Sequence, residues 1–421
     1  MKPEIKQRIT QLKNGEIPDG YRKTDFGVFP CDWVTDKKLK DIGSFGKGKG
    51  IPGDKMQSEG VPCVGYGDIY MKYNHFHFEK AQSFVDEETA SDSQLIKKGT
   101  LLFTGTGETA DEIGKCVCYN GEDDIYAGGD IITYTPDQVD PLFVAYQQYQ
   151  SFSLRKKASF GQGHSVVHIQ KENLEKLDVA YPPSPQEQSR IAEVLMKWDE
   201  AIELQEKMII ALEQQKELRI KRMLDDGSGK WEIRPLSYYL FNRNDTQVPS
   251  SDAPLMAFIA YEGISEKGER YDRSQLIKDD NKKYKITHLN DFIYSSNNLD
   301  VGSIGLNQYG TAVISVVYEV FGIKGTAIPC VIDKIIQLPK NLAKIISYRQ
   351  GAFYGQYKIH PDDFLKVEVS VPPLNVQIQL AKYISSVDLY INQQRRKHEL
   401  LMHQRKALQQ YLLNGIVRVN A

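Results

Sequence analysis

Tyr181-Pro182-Pro183-Ser184-Pro185-Gln186-Glu187-Gln188-Ser189-Arg190-Ile191-Ala192 and Val371-Pro372-Pro373-Leu374-Asn375-Val376-Gln377-Ile378-Gln379-Leu380-Ala381 carry one signal twice. Each Pro-Pro pair announces a long stretch of helical periodicity, roughly residues 186–225 and 375–414. The stretches align at a shift of 189 residues: Gln188 falls on Gln377, Asp199 on Asp388, Ile202 on Ile391 and Leu212 on Leu401. A repeat of nearly half the chain means a protein of two units.

In the first stretch apolar residues recur at Ile191, Leu195, Trp198, Ile202, Ile209 and Leu212. In the second they recur at Leu380, Ile384, Val387, Ile391, Leu401, Leu408 and Leu412. The alternating four–three spacing is a heptad seam. Gln205 and Gln394 share one polar seam position, again 189 residues apart, each near the midpoint of its helix. A polar seam residue costs stability and fixes register. The expectation is therefore an intramolecular antiparallel coiled coil in which Gln205 meets Gln394; the alternative has each facing solvent. A helix of ~40 residues is roughly 60 Å long, too long for the inside of one small domain. Antiparallel pairing would put two domains at opposite ends, about a pseudo-two-fold axis. Dimeric DNA readers space half-sites ~34 Å apart, and here one chain would mimic a dimer.

With 421 residues and 41% hydrophobic residues, each half can bury a core. The net charge of −2 advertises no polyanionic partner, so DNA binding would rest on local lysine clusters. Cys31, Cys63, Cys116, Cys118 and Cys330 are odd in number and lack C-x-x-C spacing. They read as buried thiols of a cytoplasmic protein rather than as disulfides or metal ligands. The N-terminal residues do not form a signal peptide, and no apolar run reaches membrane-spanning length.

Residues 4–14 suggest a short helix ending in Leu12-Lys13-Asn14-Gly15, like Leu224-Asp225-Asp226-Gly227 and Leu412-Leu413-Asn414-Gly415 after the long helices. Gly after Asn or Asp is a helix-stop signal. The N-terminus thus reads as the tail of a third helix copy that docks beside the C-terminal helix. Trp33 and Trp231 open two units rich in Gly, Tyr, Thr and short apolar runs, which predicts mixed β structure with a few helices. Lys98-Gly99-Thr100-Leu101-Leu102-Phe103-Thr104 echoes Leu289-Asn290-Asp291-Phe292-Ile293-Tyr294-Ser295. Gly161-Gln162-Gly163 with His168-Ile169 echoes Gly351-Ala352-Phe353 with Lys358-Ile359. The fold class is α+β: two mixed domains separated by two long antiparallel helices, in a circular arrangement.

The opening of each helix, a Pro-Pro pair followed closely by Gln-x-x-Ile/Leu-Ala, the Asn/Asp-Gly exit and the domain entry, a Trp with a Leu five or six residues on, resemble the specificity subunits of type I restriction–modification systems. The resemblance covers about residues 20–419, and the second helix departs in opening Pro-Leu-Asn-Val-Gln rather than Pro-Gln-Glu-Gln. It implies target-recognition domains over 23–183 and 228–373, spacer helices over 184–227 and 374–421, and an N-terminal segment over 1–22 that docks near the C-terminal helix. Each domain would read one half of a split DNA target, and the helices would set the spacer and dock two methyltransferase subunits. Those partners would bind S-adenosylmethionine and methylate adenine at N6. Two restriction subunits using ATP and Mg2+ would add endonuclease activity where present. This chain itself would hold no cofactor, metal or catalytic residue.

Three features mimic catalytic motifs. Phe103-Thr104-Gly105-Thr106-Gly107 matches the F-x-G-x-G of methyltransferases, yet no N/D-P-P-Y/F accompanies it. Gly43 to Lys49 matches G-x-x-x-x-G-K without the following Ser/Thr. Histidine pairs such as His164/His168 lack a third ligand. The Gly-rich stretch instead offers flexible lysines, Lys47 and Lys49 among them, to DNA phosphates. Arg155, Lys156 and Lys157 form a second cluster before Gln162 and His164. Arg273, Lys282, Lys283 and Lys285 alternate with tyrosines in the second domain. Gln162, Asn297, Asn298 and Gln356 are amides suited to adenine edges. For each cluster the plain alternative is a solvated face. A protein-binding scaffold with duplicated domains and an active methyltransferase are the competing functions; the missing N/D-P-P-Y/F argues against the second.

Overall fold

The computed structural model describes residues 2–73, 76–163, 166–225, 231–260, 263–265, 282–295, 297, 299, 302–351 and 358–419. The protein is mixed α+β and divides into two compact units, Met1–Lys207 with Arg396–Ala421, and Met208–Arg395. Both boundaries fall inside the long helices Pro185–Met223 and Leu374–Leu413. Among the described residues no helix is long and apolar enough to cross a membrane.

In unit 1 the main sheet has five strands in the order Gly43–Lys47, Ile131–Pro136, Leu101–Thr104, Cys116–Tyr119, His77–Phe78. All neighbours are antiparallel except the last pair. Cys116–Tyr119 is buried on both faces, which explains its apolar run without polar alternation. Cys116 and Cys118 join a core with Trp33, Phe143 and Leu195, and Val117 and Tyr119 join another with Val64 and Ile125. Burial pushes the Cys116 thiol up to about 12 and the Cys118 thiol well above its ordinary value. Neither is a thiolate near neutral pH. Burial does not extend to all five cysteines: Cys31 is exposed and Cys330 half-buried, because Cys31 follows the strand Gly27–Pro30 in a turn.

Unit 2 repeats this plan. Its sheet runs Leu240–Asn242, Glu319–Ile323, Phe292–Tyr294, Ile304–Leu306, with every neighbour antiparallel. A 3-10 turn precedes the edge strand in each unit, Leu39–Asp41 and Leu236–Tyr238. Helices Pro329–Ile336 and Pro339–Ser347 stand where Pro141–Gln147 and Ser151–Phe160 stand in unit 1. Just before the central strand, Gly99 (φ 84°) and Asn290 (φ 69°) both adopt the left-handed conformation, which Gly and Asn tolerate best. The echo between these stretches is thus one turn made by two residue types.

The repeated glutamine has a structural job. Gln188 Nε2 donates to the Pro182 carbonyl (2.8 Å), while its Oε1 accepts from the Asp140 amide (2.9 Å). Gln377 Nε2 donates to the Pro372 carbonyl (2.9 Å), while its Oε1 accepts from the Ile328 amide (2.9 Å). Each brace ties the start of a long helix to the Pro-Pro segment and to the residue before a domain helix, Pro141–Gln147 in one unit and Pro329–Ile336 in the other. Each brace thus satisfies one buried proline carbonyl and one half-buried amide.

Within each unit, segments of the two long helices run side by side in opposite directions. In unit 1, Asp199 pairs with Arg405 (2.7 Å), while Glu187 pairs with Arg418 beyond the second helix (2.6 Å). In unit 2, Glu213 pairs with Arg395 (2.6 Å), Lys216 with Asp388 (2.5 Å), and Arg219 stacks over the Tyr383 ring at 4.6 Å. The 189-residue shift carries Asp199 onto Asp388 and Lys216 onto Arg405, so one ion pair is made twice. Gln205 is buried and Gln394 half-buried.

The helix Pro3–Lys13 ends at Asn14 and Gly15. Arg8 donates to the Ile416 carbonyl (3.3 Å) and the Tyr21 hydroxyl to that of Gly415 (2.6 Å). Gly415 combines φ 66° with a tight approach: a Cβ there would lie 2.5 Å from Pro30 Cγ. Arg418 bonds both Asp32 and Glu187.

Asp333, on Pro329–Ile336, accepts from Gln337 Nε2 (2.7 Å), and desolvation pushes its carboxyl up to about 6. A carboxyl raised in the native state holds a proton that the unfolded chain has released. Stability therefore falls as pH rises from about 4 to about 6. Asp333→Asn keeps the acceptor and removes the charge. The variant is expected to be more stable than the wild type by about 1–2 kcal/mol at pH 7, with the gain vanishing near pH 4. Denaturant unfolding across pH 4–7 checks this; a pH-independent difference would contradict it.

Candidate nucleic-acid interface

The Gly-rich stretch is not a flexible loop. Gly43–Lys47 is the edge strand of the main sheet, in register with Ile131–Pro136. Its glycines serve close backbone approach: a Cβ on Gly46 would lie 2.6 Å from Thr133 Oγ1, and one on Gly48 1.8 Å from the Gly128 carbonyl. Lys47 and Lys49 are exposed, so they project from a fixed scaffold.

Lys47 opens onto a hollow of about 340 Å³ shared with Gly105, Thr106, Asp130, His168 and Lys171. One wall is the antiparallel pairing of Thr106–Gly107 with Val167–His168. The His168 Nδ1 lies 3.2 Å from Thr106 Oγ1. Gln162, exposed, is joined to His168 through two backbone hydrogen bonds. The structure thus gathers Lys47, and Gln162 through the backbone, around His168, which by sequence spacing is only half of an incomplete metal-ligand pair. Among the described residues no group of three or more His, Cys, Asp or Glu could hold a metal ion.

Arg155 and Lys156 sit elsewhere, exposed on helix Ser151–Phe160, where Lys156 borders a separate hollow with Asp25, Lys37, Lys38 and Asp178. Lys157 leaves the cluster: it is fully buried and donates to the Gly114 carbonyl (2.8 Å). Desolvation brings its ammonium down to about 8. Lys38 is spent on Asp178 (2.7 Å) and Lys285 on Glu319. In unit 2, Lys282 and Lys283 are exposed beside the strand Tyr284–Thr287, with the Lys282 ammonium 5.4 Å from the Tyr284 ring centre. Asn297 is exposed. His164, Arg273, Asn298 and Gln356 lie outside the described residues.

The F-x-G-x-G look-alike belongs to the core. Phe103 is buried, Thr104 Oγ1 lies 2.8 Å from the Tyr70 hydroxyl, and a Cβ on Gly107 would come within 2.9 Å of that hydroxyl. Its glycine makes room for Tyr70.

Residues 30–214 match the type I restriction modification DNA specificity domain. The MjaX type I restriction enzyme specificity subunit of Methanocaldococcus jannaschii is 22% identical over 431 residues, covering 95% of this chain and 97% of its own. Residues 30–214 therefore resemble a type I restriction–modification DNA specificity domain, and the whole chain resembles a specificity subunit. A second specificity subunit of the same archaeon, MjaIX, is 25% identical over 201 residues, covering 46% of this chain and 44% of that one. The S subunit of the M. genitalium type I system shares the fold at a TM-score of 0.55 and 13% identity, over 90% of this chain and 96% of that chain. A chain from a structure of type I system assembly and conformational transition reaches 0.56 at 11% identity, over 96% of this chain and all of that one.

Proposed function

We propose that each unit reads one half of a bipartite DNA target, that the two long helices set the unread spacer, and that those helices dock two modification subunits. In this reading Gln205 and Gln394 fix the register of an antiparallel coiled coil, and the units stand about a pseudo-two-fold axis. S-adenosylmethionine, ATP and Mg2+ belong to the partner subunits. The observation that carries the reading is the duplication itself. One sheet order, one glutamine brace and one Asp–cation pair occur twice, while the outward residues differ. A frame kept twice under unlike surfaces suits two readers of unlike sequences. Lys47, Lys49, Arg155, Lys156, Lys282 and Lys283 supply phosphate contacts, and Gln162 and Asn297 supply base contacts.

Selection from random duplex DNA by the chain with its modification subunits tests this. Two short motifs at a fixed gap are expected; one contiguous motif would refute the two-reader arrangement. Reversing Lys47 and Lys49 to Glu is expected to weaken binding to all sequences alike. It should also lower the slope of log K against log salt by about 2, at ~0.9 per lost phosphate contact. Unchanged affinity and slope would remove this edge strand from the interface.

A further inference from the structure

In unit 1, Gln162 and His168 exchange both backbone hydrogen bonds, at 3.1 and 2.9 Å. In unit 2, Gln350 and Lys358 do the same, at 2.8 and 3.0 Å. The residue that follows is buried in each case, Ile169 and Ile359. A short helix comes next, Lys171–Leu174 in one unit and Pro361–Lys366 in the other. The two bridges are therefore one device made twice. Its first member is glutamine both times. Its second member is exposed both times and differs: His168 in one unit, Lys358 in the other.

We infer that this position is a base-reading position of each half-site, His168 setting the preference in one and Lys358 in the other. The inference rests on the reading of the units as DNA readers and adds which side chains discriminate. Around His168 the geometry suits a base edge. Gly105 and Gly46 line the hollow without side chains, Lys47 stands beside it for a phosphate, and Asp130 offers an acceptor. The Thr106 hydroxyl engages Nδ1, which leaves Nε2 as the other polar atom of the ring. A hydroxyl serves either tautomer, so Nε2 either donates to purine N7 and O6 or accepts from an adenine or cytosine amino group. The Lys358 ammonium only donates, which restricts it to acceptor edges, guanine N7 and O6 foremost. One frame thus carries two hydrogen-bonding alphabets, as a subunit reading two different half-sites requires.

The test is selection from random duplex DNA by the full chain with its modification subunits, comparing wild type, His168→Lys and Lys358→His. Both side chains are exposed, so the fold should survive, and circular dichroism of each variant checks that. His168→Lys is expected to shift one base position of one half-site toward guanine by about tenfold and to leave the other half-site as it was. Lys358→His is expected to relax one position of the other half-site only. Wild-type preferences in both halves for both variants would overturn the inference while leaving the two-reader arrangement standing. A wild type that selects no sequence would overturn both.

Discussion

Arg405→Ala is expected to destabilise unit 1 by about 3–5 kcal/mol, the cost of leaving a buried carboxylate without its partner. Arg405 and Asp199 keep only 9% and 6% of their side-chain surface exposed. The guanidinium grips both carboxylate oxygens, Nε to Oδ1 at 2.7 Å and Nη2 to Oδ2 at 3.1 Å. It also lies 4.3 Å from the Phe76 ring centre and 5.5 Å from that of Tyr146. Nη1 bonds Gln409, whose amide donates to the Tyr146 carbonyl (3.2 Å), and the Tyr146 hydroxyl donates to Asp199 (2.8 Å). Truncation removes the cation and its aromatic stacking together and strands Asp199 on a single hydroxyl. Paired replacement, Asp199→Asn with Arg405→Met, is expected to recover much of the loss, because no uncompensated charge remains. Urea unfolding of the four species of this cycle checks it. A single-variant loss below about 1 kcal/mol would mean that water reaches Asp199 and replaces the arginine.

Phe364→Ala is expected to cost unit 2 about 3–5 kcal/mol, in the range of large aromatic truncations in a packed core. Phe364 is fully buried on the short helix Pro361–Lys366. Its ring centre lies 4.7 Å from Tyr294, 4.8 Å from Phe321 and 6.0 Å from Phe292. It therefore closes one end of the unit 2 sheet over its two central strands. The same helix follows Ile359, whose carbonyl accepts from the Tyr294 hydroxyl (3.1 Å). Loosening Phe364 should accordingly disturb the Gln350–Lys358 bridge. Phe364→Leu should cost much less, because it refills most of the volume. Limited proteolysis mapped by mass spectrometry is expected to show new cuts in 208–395 and unchanged protection in 23–183. Equal sensitivity in both regions would contradict the separateness of the two cores.

The helices were legible because a four–three spacing survives any surface decoration, and the Pro-Pro openings marked where each begins. Arg405 was not, because a search for apolar seam residues steps over a cation. It stands in register between Leu401 and Leu408, and its buried partner comes from the other helix. The edge strand Gly43–Lys47 was hidden by glycine, which weakens strand propensity in isolation and here serves the neighbouring backbone. Lys157 does not act with Arg155 and Lys156, because three consecutive helical residues cannot share a face. At about 100° per residue, Lys157 points some 200° away from Arg155. The surroundings of His168 are not legible in the sequence because its neighbours in sequence are not its neighbours in space: Thr106 and Lys47 arrive from other strands. The alignment of Ile169 with Ile359 held the clue, since the residue before each differs.

The duplicated glutamine brace gives the protein an internal control. Gln188 and Gln377 satisfy the same kinds of atoms at nearly the same distances in one polypeptide. The same substitution made at one and then at the other changes neither chain length, expression background nor solvent. Any difference in cost between the two copies then reports the surroundings alone, a comparison that usually requires two proteins.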